Sequence, residues 1–232
     1  MRIPLRAVAA ALLLAAAPAA QISAPPGAPP TAGVVVKGRA PVSEETLRVK
    51  LPRPREADLP NGLHLMVLED RRTPQITFSL SIPGAGGYAD PEGLPGLATF
   101  AAALMREGTA TRTSVQLSEQ LETMAAALNV SAGLSSTEAF VSGSALTEHV
   151  DRLMELTADV LLNPAFAESE LALYKQRTRA GLVQQRSNPG FLVNELFARV
   201  MYGMHPASRI SPTVEALDKV TRADIEAFHR AR

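Results

Sequence analysis

From residue 61 the chain alternates apolar and polar positions. Leu63, Leu65 and Val67 recur at every second residue of NGLHLMVLED, and Ile76, Phe78, Leu80 and Ile82 repeat the pattern in QITFSLSIPGAGG. A period of two sets alternate side chains on one face of a strand. Two paired or neighbouring strands are therefore predicted, the second ended by Gly84, Gly86 and Gly87. The period then lengthens. Leu94, Leu97, Ala98, Ala101, Leu104 and Met105 fall at helical spacing, with Gly108 placed to close the helix. A second helix begins at Thr113 or Ser114, either of which can cap it, with Leu117, Leu121, Met124 and Leu128 as its buried stripe. Two short strand-like runs, LNVSAGL and EAFVSGSAL, follow. The remainder, from TEHVDRLMELTADVLLNP to RADIEAFHRAR, is helical in pattern.

The order β-β-α-α-β-β followed by helices is not the regular alternation of a doubly wound parallel sheet. It predicts an α+β fold with helices packed on one face of a mostly antiparallel or mixed sheet. The last helical pattern turns Ile225 and Phe228 inward, and no capping Gly or Asn follows it. A domain truncated at its C-terminal end is the expectation.

Composition changes sharply before residue 61. MRIPLRAVAAALLLAAAPAA has a basic start, an apolar run and small residues at its end, the pattern of a signal peptide over 1–20 cleaved near Ala19 or Ala20. The apolar run is too short to cross a bilayer, which needs about 20 residues. Export to the periplasm or the medium, with no membrane span after cleavage, is the expectation. Eight of the chain's 18 prolines lie between Gln21 and Pro60. Proline at this density resists helix and sheet, so 21–58 reads as a linker and 59–232 as the folded domain. The chain has no cysteine, hence no disulfide and no cysteine-linked lipid anchor. Formal net charge is zero, and no basic run interleaves with aromatics, which argues against nucleic acid as a partner.

Candidate chemistry is sparse. His64, His149, His205 and His229 are the four histidines, and no two share the i, i+4 spacing that would set both imidazoles on one helical face for zinc. Ser142 and Ser144 lie in a strand-like run without the Gly-x-Ser-x-Gly elbow of a serine nucleophile. Gly84, Gly86 and Gly87 have no Gly-Lys-Ser/Thr behind them and form a turn rather than a phosphate cradle. Glu168 and Glu170 precede Lys175 and Arg177 as on a solvated helical face.

At LPNGLHLMVLED, PGAGGYADPEGLPGLATF, REGTATRT, LNPAFAESEL and HPASR the chain resembles the insulinase-type zinc peptidases, family M16, in order from about residue 57 to the end. In active members the helix after the glycine turn carries His-x-x-Glu-His. Two imidazoles there bind zinc, and the carboxylate takes a proton from the metal-bound water. Aligning Gly96-Leu97-Ala98 and Gly108-Thr109 on that frame puts Thr99 at the first histidine, Ala102 at the glutamate and Ala103 at the second histidine. A further family glutamate falls near Gly181, and Gln184, Gln185 and Arg186 beside it make no metal site. The resemblance thus implies a member whose zinc site is lost and which has no cofactor. It would act as the non-catalytic partner of a catalytic M16 homologue and help to enclose peptides. It also implies a second homologous domain after this one. In the family, peptides add as a strand to a sheet edge, and the segment that resembles that edge is Asn129, Val130 and Ser131. Strand addition needs only backbone groups, yet the same residues read equally well as an ordinary strand. A stand-alone periplasmic peptide-binding module, or a peptidase with a site of another kind, are the other two readings.

Overall fold

The computed structural model describes residues 52–232. The segment 1–20 and the part of 21–58 up to residue 51 lie outside the described residues. The chain divides into two compact units, one up to Met66 and one from Val67 onward.

The described part of the first unit is built on a two-stranded sheet of β1 (Arg55–Asp58) and β2 (His64–Val67). The connection turns at Asn61-Gly62, where Gly62 takes φ +86°, and the Leu59 N–H donates to the Leu63 carbonyl at 2.8 Å. Asn-Gly is a hairpin signal because it tolerates positive φ. It folds the chain back onto residues 55–58, so a strand forms inside the proline-rich stretch that was expected to be linker. Of the paired or neighbouring strands expected over 63–67 and 76–82, pairing is excluded, since β2 pairs with β1 and Gln75–Pro83 with Glu138–Leu146.

The second unit holds a three-stranded antiparallel sheet in the order β3-β5-β4, where β3 is Gln75–Pro83, β4 Ala127–Ala132 and β5 Glu138–Leu146. In its register Leu80 and Val130 flank Val141, while Phe78 and Leu128 flank Gly143. Leu128, Val130, Ala132, Ala139, Val141 and Ala145 are buried, and the alternate residues Asn129, Ser131 and Phe140 are exposed. The sheet is thus apolar on one face only. Gly143 is required by packing, since a Cβ there would lie 2.5 Å from the Phe78 ring.

Among the described residues seven α-helices accompany the sheet, of which the first three pack on it, whereas the fifth leaves Leu196, Phe197 and Val200 exposed. In chain order they are α1 (Leu97–Met105), α2 (Ser114–Thr123), α3 (Val150–Leu162), α4 (Glu168–Gln185), α5 (Pro189–Tyr202), α6 (Val214–Lys219) and α7 (Arg222–Ala231). In α1, Leu97, Ala98, Phe100, Ala101, Ala102 and Leu104 are buried. α1 packs on β4 and α7, and its Phe100 meets Tyr174 of α4 edge-on at 4.9 Å. Thr113 caps α2 in a reciprocal box with Gln116. That helix ends at Thr123 and the chain turns through Ala125 at φ +47°. Leu128, read from the sequence as the last of the helical stripe, is instead a buried residue of β4. Ile225 and Phe228 of α7 face inward as expected. The fold is the predicted α+β layer. No described helix is long and apolar enough to cross a membrane.

Candidate functional site

The glycine turn anchors the start of α1. Gly84, Gly87 and Tyr88 donate backbone hydrogen bonds to Thr137, Gly133 and Ser136, at 2.8, 2.9 and 3.0 Å, in the turn between β4 and β5. The approach is close: a Cβ on Gly86 would lie 2.2 Å from the Ser136 carbonyl oxygen, and one on Gly87 2.4 Å from that of Leu134. Asp90 then caps α1. Its carboxylate accepts from the Gly96 N–H at 2.6 Å and the Ala98 N–H at 2.8 Å, supplying the partner that Gly96 at the N-cap lacks. Burial pushes the Asp90 carboxyl above its ordinary range, against the pull of the Ala98 and Gly96 N–H groups and the Arg209 charge.

Beyond α1, the REGTATRT segment is held by Asp159 of α3. Thr109 donates to Asp159 Oδ2 at 2.6 Å, Thr111 at 3.2 Å, and Arg112 forms an ion pair with the same oxygen. Asn163 donates to Oδ1 at 3.2 Å. Burial acts to raise the Asp159 carboxyl, but the hydrogen bonds from Thr109, Asn163, Arg112 and Thr111 together hold it below its usual value. His205 of HPASR accepts from the Ala207 N–H at 3.1 Å and meets the Tyr88 ring edge-on at 5.6 Å. These motifs are scaffold: they fix both ends of α1 and the β4–β5 turn.

Between those anchors lie the residues singled out in the sequence. Thr99 is half-buried, and its hydroxyl donates to the Ala132 carbonyl at the end of β4, at 2.8 Å. Ala102 is 3% exposed. It lines an apolar cavity of about 280 Å³ with Ala98, Ala101, Met105 and Phe228 among its neighbours. Ala103 lines a different, polar cleft of about 310 Å³ with Arg106, Glu107, Ser114, Ser118, Asn129 and Val130. Ala103, Asn129 and Val130 are therefore brought together; Ser131 is exposed on the same strand but outside that lining. Gly181 stands on α4, with open space where a Cβ would project. Among the described strands β4 has β5 on one side only. Asn129 and Val130 of this edge strand line the cleft.

That donor set does not fit zinc. The Thr99 hydroxyl is spent on a backbone carbonyl, Ala102, Ala103 and Gly181 offer no ligand atom, and zinc needs imidazole, thiolate or carboxylate. Among the described residues no group of three or more His, Asp or Glu is placed to hold a metal. The histidines are scattered and occupied. His64 lies 2.7 Å from Asp58, and that hydrogen bond raises its pKa; His149 neighbours Glu148 at 3.7 Å; His229 Nε2 donates to the Leu161 carbonyl at 2.7 Å. Sequence reasoning missed Asp90, whose partners lie six and eight residues away, Asp159, whose partners Thr109, Thr111 and Arg112 lie 47 to 50 residues away, and the polar lining of the cleft. The signal for the lining was present: Arg106 follows Ala103 by three positions, and Ser118 follows Ser114 by four, each pair on one helical face.

Known proteins share this fold. The model of the insulinase family, peptidase family M16, matches residues 65–211. An uncharacterised zinc protease of Rickettsia bellii is 26% identical over 165 residues, covering 69% of this chain and 39% of that protein. A non-peptidase homologue from Helicobacter pylori is 26% identical over 159 residues, 68% of this chain and 36% of its own. The crystal structure of a peptidase M16 inactive domain from Pseudomonas fluorescens superposes with TM-score 0.71 at 25% identity, covering 77% of this chain and 43% of that one. The periplasmic protease PqqL of Escherichia coli shares the fold, with TM-score 0.66 at 16% identity over 78% of this chain and 21% of its own. The chain thus spans about two fifths or less of the length of these relatives. It belongs to the insulinase family of peptidases, M16.

Proposed function

We propose that this chain is a zinc-free M16 homologue that holds extended peptides along the free edge of β4 and works beside a catalytic member of the family. The observation that carries the reading is the pair of fates at the start of the would-be metal helix. Thr99 straps α1 to β4 through the Ala132 carbonyl, and Ala102 is packed into apolar surroundings. A helix so used keeps its shape with no ligand to offer. Strand addition survives such a change, because the backbone groups of an edge strand, not its side chains, supply the hydrogen bonds. We place the protein in the periplasm or the medium after removal of residues 1–20, and we take its partners to be a catalytic homologue and unfolded peptides.

The test is made on the purified full chain and then on the chain with its candidate partner. Metal analysis should find no stoichiometric zinc, unfolded peptides should remain uncleaved, and affinity purification from the native host should recover a protein carrying His-x-x-Glu-His. Chelator-sensitive cleavage by the chain alone would overturn the reading.

A further inference from the structure

The cleft beside β4 is lined almost wholly by groups that bind charge or hydrogen bonds. Arg106 and Glu107 bring one cation and one carboxylate, Ser114 and Ser118 bring hydroxyls, and Asn129 brings an amide from the strand edge itself. The apolar contribution is Ala103 and Val130 alone, too little to favour burial of a large apolar side chain. Neither charge is neutralised: among the described residues neither Arg106 nor Glu107 has an ion-pair partner. The contrast is with Arg112, Arg152, Arg179 and Arg222, which pair with Asp159, Glu155, Asp218 and Glu226. Arg106 lies three positions beyond Ala103, so both reach the cleft from one face of the α1 end.

Resting on the strand-docking reading above, we infer that this cleft is a subsite for one acidic side chain of the docked peptide, with Arg106 as its carboxylate-binding group. A guanidinium presents parallel N–H donors that match a carboxylate. Serine hydroxyls and the Asn129 amide donate to whatever oxygen lone pairs remain. Glu107, in the same cleft, disfavours a second acidic residue, so the subsite selects a single Asp or Glu rather than an acidic run. An apolar side chain would make no hydrogen bond to these groups and would give Arg106 no charge to pair with.

The experiment compares two fluorescent peptides of one extended sequence, Ser-, Thr- and Val-rich, that differ only by Glu or Gln at the centre. Anisotropy titrations of the full chain should show the Glu peptide binding about fivefold tighter at low salt, the upper end of what an exposed ion pair allows. The preference should shrink in about 0.5 M salt. Arg106→Gln should abolish it without weakening the Gln peptide, Arg106→Lys should retain part of it, and Glu107→Gln should widen it. Equal affinity of the wild-type chain for both peptides, or a preference that persists in Arg106→Gln, overturns the acidic subsite and leaves strand docking standing. Binding of neither peptide overturns both.

Discussion

Thr99 shows how one side chain can trade a chemical role for a structural one. Its hydroxyl meets the Ala132 carbonyl at 2.8 Å, where an imidazole would need to reach a metal. Removing only the hydroxyl isolates that bond. Thr99→Val should lower unfolding free energy by about 1 kcal/mol, the usual net worth of one such hydrogen bond. Urea denaturation with an unchanged m-value is the check. Gly87 tests a different constraint, that of backbone lying on backbone. A methyl there would sit 2.4 Å from the Leu134 carbonyl oxygen, and neither atom belongs to a flexible side chain. Gly87→Ala should therefore displace the glycine turn from the β4–β5 turn and destabilise the chain by about 2–3 kcal/mol, within the range of overpacking. A loss under half a kcal/mol would show that the two turns separate easily. The sequence marked Gly84, Gly86 and Gly87 as turn residues. It did not show that their lack of a side chain serves contact with residues 133–137, which are some fifty positions away.

At the scale of elements, α1 is positioned by carboxylates at both ends, and their titrations have opposite signs. Asp159 ties the loop after α1 to α3, and its folded pKa lies below the unfolded value. Its contribution is thus complete above the ordinary carboxylate range and declines as pH falls through the depressed folded value. Asp90 caps the start of α1 with its folded pKa raised, mainly by burial. Its protonated form is favoured by folding, so that contribution is full below the unfolded pKa and is lost as pH rises through the folded one. Asp159→Asn should lower stability by about 2 kcal/mol near neutral pH, because Arg112 then keeps a largely buried charge without its partner. The loss should shrink at acid pH. Thermal melts of wild type and variant between pH 3 and pH 7, run in parallel, give the comparison; a pH-independent difference would mean that shape, not charge, governs the contact. The body of α1 was legible from its period and the start of α2 from its capping threonine, but the end of α2 was not. Leu128 was misread because it continues the i, i+4 row after Thr123, where the chain has already turned at Ala125 into β4. The β1–β2 pairing was missed because proline density masked a strand of only four residues.

Across the molecule, the legible part is the frame and the illegible part is the use made of it. Apolar periodicity predicts the layers because burial drives both. The polar cleft left only the short-range spacings within α1 and α2, since Arg106, Ser118 and Asn129 come from three elements and tertiary packing brings them together. Zinc offers the sharpest test of what the frame now does. Were a metal held with a Kd one hundredfold below the concentration used, it would stabilise the folded chain by about 2.7 kcal/mol and raise the melting temperature measurably. With a hydroxyl already bonded at Thr99, methyl groups at Ala102 and Ala103 and no side chain at Gly181, no such stabilisation is expected. Full-length chain melted with and without zinc in excess over protein, after exhaustive chelation, should show coincident transitions. An upward shift that a chelator reverses would require a ligand set that these positions do not supply, and would move the search for chemistry away from α1 altogether.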